Sequence, residues 1–141
     1  MEKVLVLGGS GFVGRHVCEK LNQQQIHVTV LTRRRASARH LQMLPLVDVI
    51  EVAKLDSASL AAQVAGHDAV VNLIAILHGS EAAFEKAHVD LPQALMIACQ
   101  ASGVKRIVHI SALGAAPDSP AMYTCTAFSP PPVAIASPVI E

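Results

Sequence analysis

The clearest chemical signal in this chain is a glycine-rich loop between the first apolar run and the first helical pattern. The loop reads Gly8-Gly9-Ser10-Gly11-Phe12-Val13-Gly14. Gly8 permits a tight exit from a strand, Gly11 lets the backbone approach a pyrophosphate, and Gly14 lets the helix pack closely. Backbone N–H groups near Phe12 and Val13, at the positive end of the helix, would bind the anion. All residues of this loop except Gly9 are therefore candidate contacts for a dinucleotide. The alternative is a glycine-rich turn without a ligand.

A second signal follows the second apolar run, where the chain reads Thr32-Arg33-Arg34. Proteins that bind NAD place an Asp or Glu here for the ribose hydroxyls, and this stretch has no carboxylate. A guanidinium group matches a 2′-phosphate in a bidentate way. These three residues therefore favour NADP(H) over NAD(H), and the alternative is that the arginines form a solvated loop.

Three more candidate cofactor contacts follow the third and fourth strands. Asp56 could accept a hydrogen bond from the adenine amino group, cap the next helix, or do both. Leu55, its neighbour, belongs to the same candidate site. Ala75 is small enough to let the cofactor lie against the backbone near the end of the fourth strand.

The elements that must position these residues alternate between strand and helix. Apolar runs predict strands at residues 4–7, 27–31, 47–52, 69–76 and 107–110. Helical patterns lie at about 11–24, in an Arg- and Ala-containing segment ended by Pro45, at 57–65 and at about 81–101. Pro92 should kink or divide the last of these helices, and Gly103 should end it.

This alternation predicts an α/β fold, a Rossmann-like doubly wound parallel sheet of about five to six strands. Its ligand crevice should lie at the carboxyl ends of the strands, where the candidate residues fall. The nucleotide-binding domain is expected to span residues 1–123. Residues 124–141 are expected to form an irregular Pro-rich tail, in which 133–140 could add an edge strand interrupted by Pro138.

Composition excludes several other classes of protein. The 11 basic and 11 acidic residues cancel, so no basic field is available for nucleic acid. Seven scattered histidines and three separated cysteines form no motif with metal-ligand spacing, so no metal site is expected. Cys18 and Cys99 are expected to be small core side chains, and His109 a hydrogen-bonded core residue. No apolar stretch is long enough to cross a bilayer.

The motifs together resemble the extended and atypical short-chain dehydrogenase/reductase superfamily. They are VLVLGGSGFVG, LTRRR, KLD, VVNLIAIL and GVKRIVHISALGA, in this order along the chain. The resemblance is closest to the branch of the NAD(P)H-binding accessory subunit of respiratory complex I, which is related to NAD(P)-dependent epimerases and dehydratases. It implies that the chain lacks the C-terminal substrate region and is truncated.

The same resemblance identifies Ser111 and Tyr123 as candidate catalytic residues. In active relatives a Lys four residues after the Tyr lowers its pKa. Here that position is Ala127, and no lysine follows Lys105. A tyrosine without this partner has a pKa near ~10 and is a poor base at neutral pH.

Two classes of function follow, and a third remains open. The chain is expected to be a non-catalytic or weakly catalytic dinucleotide-binding subunit, cytoplasmic or peripheral to the inner membrane, in a respiratory or quinone-synthesis complex. The alternatives are an NADP-dependent oxidoreductase or epimerase-like enzyme, active only at full length, and an NmrA-like redox sensor. The apolar surface that a missing C-terminal region exposes would favour a homo-oligomer.

Overall fold

Five short strands form one parallel sheet in the computed structural model, which describes residues 2–110. The strands are β1 (Lys3–Leu7), β2 (His27–Thr32), β3 (Val47–Glu51), β4 (Ala69–Asn72) and β5 (Arg106–His109). Their order across the sheet is β3-β2-β1-β4-β5, with every neighbouring pair parallel. The chain therefore reverses its direction of travel across the sheet at β1, as in a Rossmann fold, and the predicted fold class is confirmed.

The connections between the strands are mostly helical. They are α1 (Phe12–Gln23), a 3₁₀ segment (Arg35–Met43), α2 (Ser57–Val64), α3 (Glu81–Glu85), a π-helical segment (Lys86–Asp90) and α4 (Leu91–Ser102). Gly103 ends α4 with φ at +74° in the left-handed region, as predicted. The Val104 N–H then donates to the carbonyl of Cys99 at 2.9 Å, which satisfies one of the last helical acceptors.

Alternation along β1 builds a core on each face of the sheet. Val4 and Val6 pack in one cluster with Cys18 of α1, and Leu5 and Leu7 pack in the other with Leu95 of α4. These four β1 side chains are almost fully buried, and only Lys3, which begins β1, is exposed. A continuous apolar run such as residues 4–7 is typical of a strand buried on both faces, and the structure places β1 in the middle of the sheet.

The fourth strand is shorter than predicted. It ends at Asn72 rather than near residue 76, because the Asn72 side chain accepts a backbone N–H that a longer strand would donate to its neighbour. The Leu73 N–H still donates to the carbonyl of Leu7 at 2.9 Å. The next donor, the Ile74 N–H, turns to Oδ1 of Asn72 at 3.2 Å. Ala75 therefore lies in a loop beyond the strand, where it is exposed.

The segment after β2 also differs from the regular helix predicted for it. Residues Arg35–Met43 form 3₁₀ turns that are interrupted at Ala38, whose φ of −109° and ψ of 20° are not helical. The side chains of Ala38 and Leu41 are nonetheless fully buried against the sheet. Two buried positions anchor the segment, and its other residues are mostly exposed and polar.

Pro92 divides the long helix, as expected. It occupies the first turn of α4, where its missing N–H matters least, and the π-helical segment precedes it. Asp90 and Leu91 keep right-handed helical angles, so the backbone passes from one segment into the next without leaving the helical region.

Both described cysteines are core residues, as predicted. Cys18 and Cys99 are buried and free, and burial raises the pKa of each thiol to about 11. Cys125 and the expected sixth strand lie outside the described residues. Within residues 2–110 no helix is long and apolar enough to cross a membrane. The same part of the chain contains no group of three His, Cys, Asp or Glu side chains that could hold a metal ion.

We expect Leu95→Ala to lower the free energy of unfolding by about 2–5 kcal/mol, because Leu95 is 1% exposed and its loss leaves a cavity. The matched control on the same helix is Ile97→Ala, since Ile97 is 65% exposed. That change should cost less than about 1 kcal/mol. Urea unfolding followed by circular dichroism measures both, and equal losses would contradict this assignment of the α4 faces.

Candidate functional site

The glycine loop turns tightly between β1 and α1. Gly8 has φ at +78°, which only glycine adopts readily, and the Gly11 N–H donates to its carbonyl at 3.1 Å. A Cβ on Gly8 would lie 3.0 Å from the carbonyl carbon of Leu73. The strand exit is therefore confined both by its conformation and by the chain that leaves β4.

Gly14 determines how closely α1 approaches this loop. A Cβ at that position would collide with the carbonyl oxygen of Gly8 and lie 2.6 Å from the Cα of Gly9. The sequence assigned Gly14 to helix packing, and the surface it packs against is the loop backbone itself. Gly9, to which the sequence assigned no role, is equally confined: a Cβ there would lie 2.8 Å from Val30 of β2.

The start of α1 can bind an anion. Gly11 is the N-cap and has no side chain with which to occupy the first N–H groups of the helix. Those groups, on Phe12, Val13 and Gly14, have no intrahelical acceptors and carry the positive end of the helix dipole. Phe12 and Val13 are 83% and 55% exposed, so the first turn of the helix lies at the surface.

At the end of β2 a side chain organises the arginines. The Arg34 N–H donates to Oγ1 of Thr32 at 3.3 Å, and the Thr32 hydroxyl donates to the carbonyl of Arg34 at 3.0 Å. Thr32 is buried, whereas Arg33 and Arg34 are exposed. This compact turn fixes the backbone from which the Arg33 and Arg34 side chains project, just beyond the carboxyl end of the strand.

A carboxylate that the sequence reading missed lies beside these arginines. Glu51 ends β3 directly opposite Thr32 in the parallel register, and its Oε2 accepts the Arg35 N–H at 2.7 Å. The carboxylate therefore caps the 3₁₀ segment. The expectation that no carboxylate is available holds for residues 32–34 themselves but not for the space around them. Only the pairing of β2 with β3 could have revealed that the Glu51 carboxylate lies nearby.

Asp56 is a helix cap. Its Oδ1 accepts the Ser59 N–H at 2.9 Å at the start of α2, and this bond lowers the pKa of the fully exposed carboxyl group. Leu55, beside it, is half-buried and packs against the core. Both the backbone N–H and the side chain of Ser59 hydrogen-bond to this carboxylate, so the capping role of Asp56 is confirmed, and its contact with an adenine amino group stays a prediction.

Three polar side chains meet near the carboxyl ends of β4 and β5; the sequence reading gave no role to Asn72 or His88, whereas it expected His109 to be hydrogen-bonded. Asn72 and His88 are buried, at 1% and 4% exposure, and His109 is half-buried. Nδ2 of Asn72 lies 3.1 Å from Nδ1 of His109, and Nε2 of His88 lies 3.1 Å from the Ile76 nitrogen. The hydrogen bond expected of His109 is thus confirmed, but its side chain is half-buried rather than part of the core. For Asn72, the signal available in the sequence was a polar residue inside an apolar run.

The structure brings most of the candidate cofactor residues to one edge of the sheet. The glycine loop, Thr32 with its arginines, and Asp56 all follow the carboxyl ends of parallel strands. Ala75 lies on the same side but beyond its strand. Ser111 and Tyr123, the candidate catalytic residues, lie outside the described residues.

Comparison with protein families agrees with this geometry. A family described as NAD(P)H-binding matches residues 8–130 of the chain. The 40 kDa subunit of mitochondrial NADH-ubiquinone oxidoreductase from Neurospora crassa is 28% identical over 125 residues, which are 86% of this chain and 33% of that protein. UDP-N-acetyl-alpha-D-glucosaminuronate decarboxylase from Bacillus cytotoxicus is 32% identical over 88 residues, covering 61% and 27% of the two chains.

Solved structures show the same fold. UDP-N-acetylglucosamine 4-epimerase from Bacillus cereus superposes with a TM-score of 0.70 and 25% identity, over 90% of this chain and 51% of that one. The chain therefore spans about half of this structure and a third or less of the two curated relatives.

We expect Gly14→Ala to destabilise the protein by about 1–3 kcal/mol, although alanine is otherwise favoured over glycine in a helix by about 1 kcal/mol. The sign reverses because the added methyl group meets loop backbone that cannot move aside. Gly103→Ala is the control: nothing lies within 4 Å of its Cβ position, so only the left-handed conformation should cost about 1–2 kcal/mol. A Gly14→Ala protein as stable as the wild type in thermal unfolding would contradict the packing of α1.

Proposed function

Because the chain belongs to a family of NAD(P)H-binding proteins, we propose that it binds NADP(H) across the carboxyl edge of its sheet. The observation that carries this proposal is the close packing of Gly14 on the glycine loop. This packing brings the uncapped N–H groups of Phe12 and Val13 next to the strand exit, where a pyrophosphate can accept from them. The adenosine half would then extend toward β2 and β3.

The proposed preference for NADP(H) depends on the arginines after β2. Arg33 and Arg34 are exposed on a turn that Thr32 holds, so their guanidinium groups can reach a 2′-phosphate with little reorganisation. Glu51 is the opposing charge, and one of its oxygens is engaged by the Arg35 N–H. NAD(H) is the alternative ligand, and Glu51 is the residue that would favour it, since a carboxylate can accept from ribose hydroxyls.

We expect the protein to bind NADPH about tenfold more tightly than NADH, and Arg33→Ala to remove most of this difference. A lost charge-assisted hydrogen bond costs about 1.5–3 kcal/mol, which is tenfold or more in affinity. Titration followed by nicotinamide fluorescence measures the four dissociation constants. Arg106→Ala is the matched control, because Arg106 is an exposed arginine at the opposite end of the strands, 3.5 Å from Glu2.

Equal affinity of the wild type for the two dinucleotides would contradict the role of the arginines while leaving the pyrophosphate site intact. A preference for NADH that Glu51→Gln reduces would establish NAD(H) as the ligand. Binding of neither dinucleotide would contradict the proposed function as a whole.

The bound dinucleotide is proposed to serve a subunit rather than a catalytic cycle. Two observations support this role. The chain is similar to a subunit of NADH-ubiquinone oxidoreductase, and Ala127 occupies the position at which active relatives have the lysine that assists Tyr123. A dinucleotide bound without turnover would stabilise the domain and the surface that it presents to a respiratory or quinone-synthesis complex, in the cytoplasm or at the inner membrane.

An oxidoreductase or epimerase-like activity is the second candidate. The observation that favours it is the similarity to enzymes that act on UDP-sugars, together with the retained Ser111 and Tyr123. In such an enzyme Tyr123 would transfer the proton and Ser111 would hold the carbonyl oxygen.

We expect no Tyr123-dependent oxidation of NADPH in the presence of simple carbonyl compounds, because a tyrosine with its ordinary pKa near ~10 donates its proton poorly to the carbonyl oxygen. The measurement is the loss of nicotinamide absorbance with wild type, Tyr123→Phe and Ser111→Ala. Equal background rates in all three proteins are the expected result. A rate that Tyr123→Phe abolishes, while NADPH affinity is unchanged, would instead assign the protein as an enzyme.

A further inference from the structure

The segment that leaves β4 is held by hydrogen bonds to side chains. It runs directly against the glycine loop, since a Cβ on Gly8 would lie 3.0 Å from the carbonyl carbon of Leu73 and 3.1 Å from the Ile74 nitrogen. Only the first donor of the segment, Leu73 N–H, continues the sheet. The N–H groups of Ile74 and Ile76 donate instead to side chains, those of Asn72 and His88 respectively. The position of this backbone therefore depends on those two side chains.

The backbone donors determine the orientation of Asn72. The Ile74 N–H can only donate, so the Asn72 atom that it contacts at 3.2 Å must be the oxygen Oδ1. The amide nitrogen Nδ2 is then the atom that faces Nδ1 of His109 at 3.1 Å. Since Nδ2 is a donor only, Nδ1 of His109 must accept and cannot carry a proton.

The same reasoning applies to His88. The Ile76 N–H donates to Nε2 at 3.1 Å, so Nε2 must hold a lone pair and any proton on the ring must be on Nδ1. The ring is 4% exposed and packs edge-on against Phe84 with centroids 5.5 Å apart. These contacts give it a fixed orientation toward the Ile76 nitrogen.

We infer that His88 is a positioning residue for the dinucleotide site: its unprotonated Nε2 fixes the Ile76 N–H and thereby holds the segment 73–76, whose residues Leu73 and Ile74 lie against Gly8. The inference rests on the proposed function, because the glycine loop so held is the proposed pyrophosphate site. Protonation of His88 would place two N–H donors face to face and release the segment. Dinucleotide affinity should therefore fall when His88 is protonated.

The surroundings of His88 favour the neutral ring. Burial lowers its pKa below the usual value of 6.5, and the pKa of His109 is lowered by burial and by the neighbouring His88. Asn72 on β4 and Phe84 on α3 are uncharged. The charged side chains on its own helical stretch are exposed: Glu81, Glu85, Lys86 and Asp90.

The sign of the pH dependence follows from the lowered pKa. The native contact requires neutral His88, and the unfolded chain binds the proton more readily. Its contribution is therefore fully present above pH 6.5 and is lost as the pH falls through the lower pKa of the folded state.

The test compares His88→Gln with His88→Leu. Glutamine can offer an acceptor near the position of Nε2 and does not titrate, whereas leucine fills space without accepting. We expect His88→Leu to bind NADPH roughly tenfold more weakly at pH 8, and His88→Gln to stay within about threefold of the wild type. Between pH 8 and pH 5.5 the wild type should lose more affinity than His88→Gln does. Because both proteins bind the same ligand, dividing the loss of affinity in the wild type by the loss in His88→Gln cancels the effect of titrating the 2′-phosphate.

Amide hydrogen exchange at Ile76, measured without ligand, tests the positioning separately. Exchange should be faster in His88→Leu and restored in His88→Gln. His27→Gln is the control, because His27 begins β2 at the opposite end of the strands. Unchanged exchange at Ile76 in His88→Leu, or equal weakening of NADPH binding in the two His88 variants, would overturn the inference. If the wild type bound no dinucleotide, the proposed function would fail, and Ile76 exchange would still decide whether His88 holds the segment.

Discussion

The close packing of α1 on the loop that leaves β1 is the constraint on which the rest of the site depends. With hydrogen as its only side chain, Gly14 lets the helix lie against the backbone of Gly8 and Gly9. Any larger residue would move the helix start away from the strand exit. The N–H groups of Phe12 and Val13 would then no longer lie beside the strand exit. The proposed anion binding at this place therefore depends on backbone packing rather than on charged side chains.

The loop is confined from three sides, and each side belongs to a different element. Cys18 of α1 and Val30 of β2 surround Gly9, with the Val30 methyl groups within 3 Å of a hypothetical Cβ. The backbone of Leu73, beyond β4, lies against Gly8. A change in the path after β4 would thus reach the pyrophosphate site directly. This proximity explains why polar side chains under β4 and β5 matter to a loop that they do not touch.

The proposed adenosine end of the crevice is organised differently, by exposed charges on a short turn. Thr32 is the buried member of that turn, and its hydroxyl both accepts from and donates to the backbone of Arg34. Glu51 ties the next residue, Arg35, to β3. Because the arginine side chains of this turn are solvent-exposed, their attraction for a phosphate should weaken with salt more than the attraction of the backbone N–H groups does. In the proposed site, the choice between NADP(H) and NAD(H) and the affinity for the pyrophosphate thus come from separate parts of the edge.

Local patterns in the sequence were sufficient to predict the five strands, the glycine loop, the Asp56 cap and the Gly103 stop. Each depends on residues a few positions apart: an apolar run, a side chain accepting from three residues ahead, or a glycine in the left-handed region. The early end of β4 and the 3₁₀ form of residues 35–43 were not predicted, because side-chain and core contacts there override local preference.

By itself the sequence determined the fold class and the loop that faces the proposed ligand, since burial on both faces of a strand and glycine's missing side chain act locally. Tertiary structure decided which polar groups surround that loop. Glu51 meets Arg35 across 16 positions, and Asn72 meets His109 across 37. These contacts follow from the pairing of parallel strands, whose carboxyl ends meet at one edge however far apart they lie in the chain.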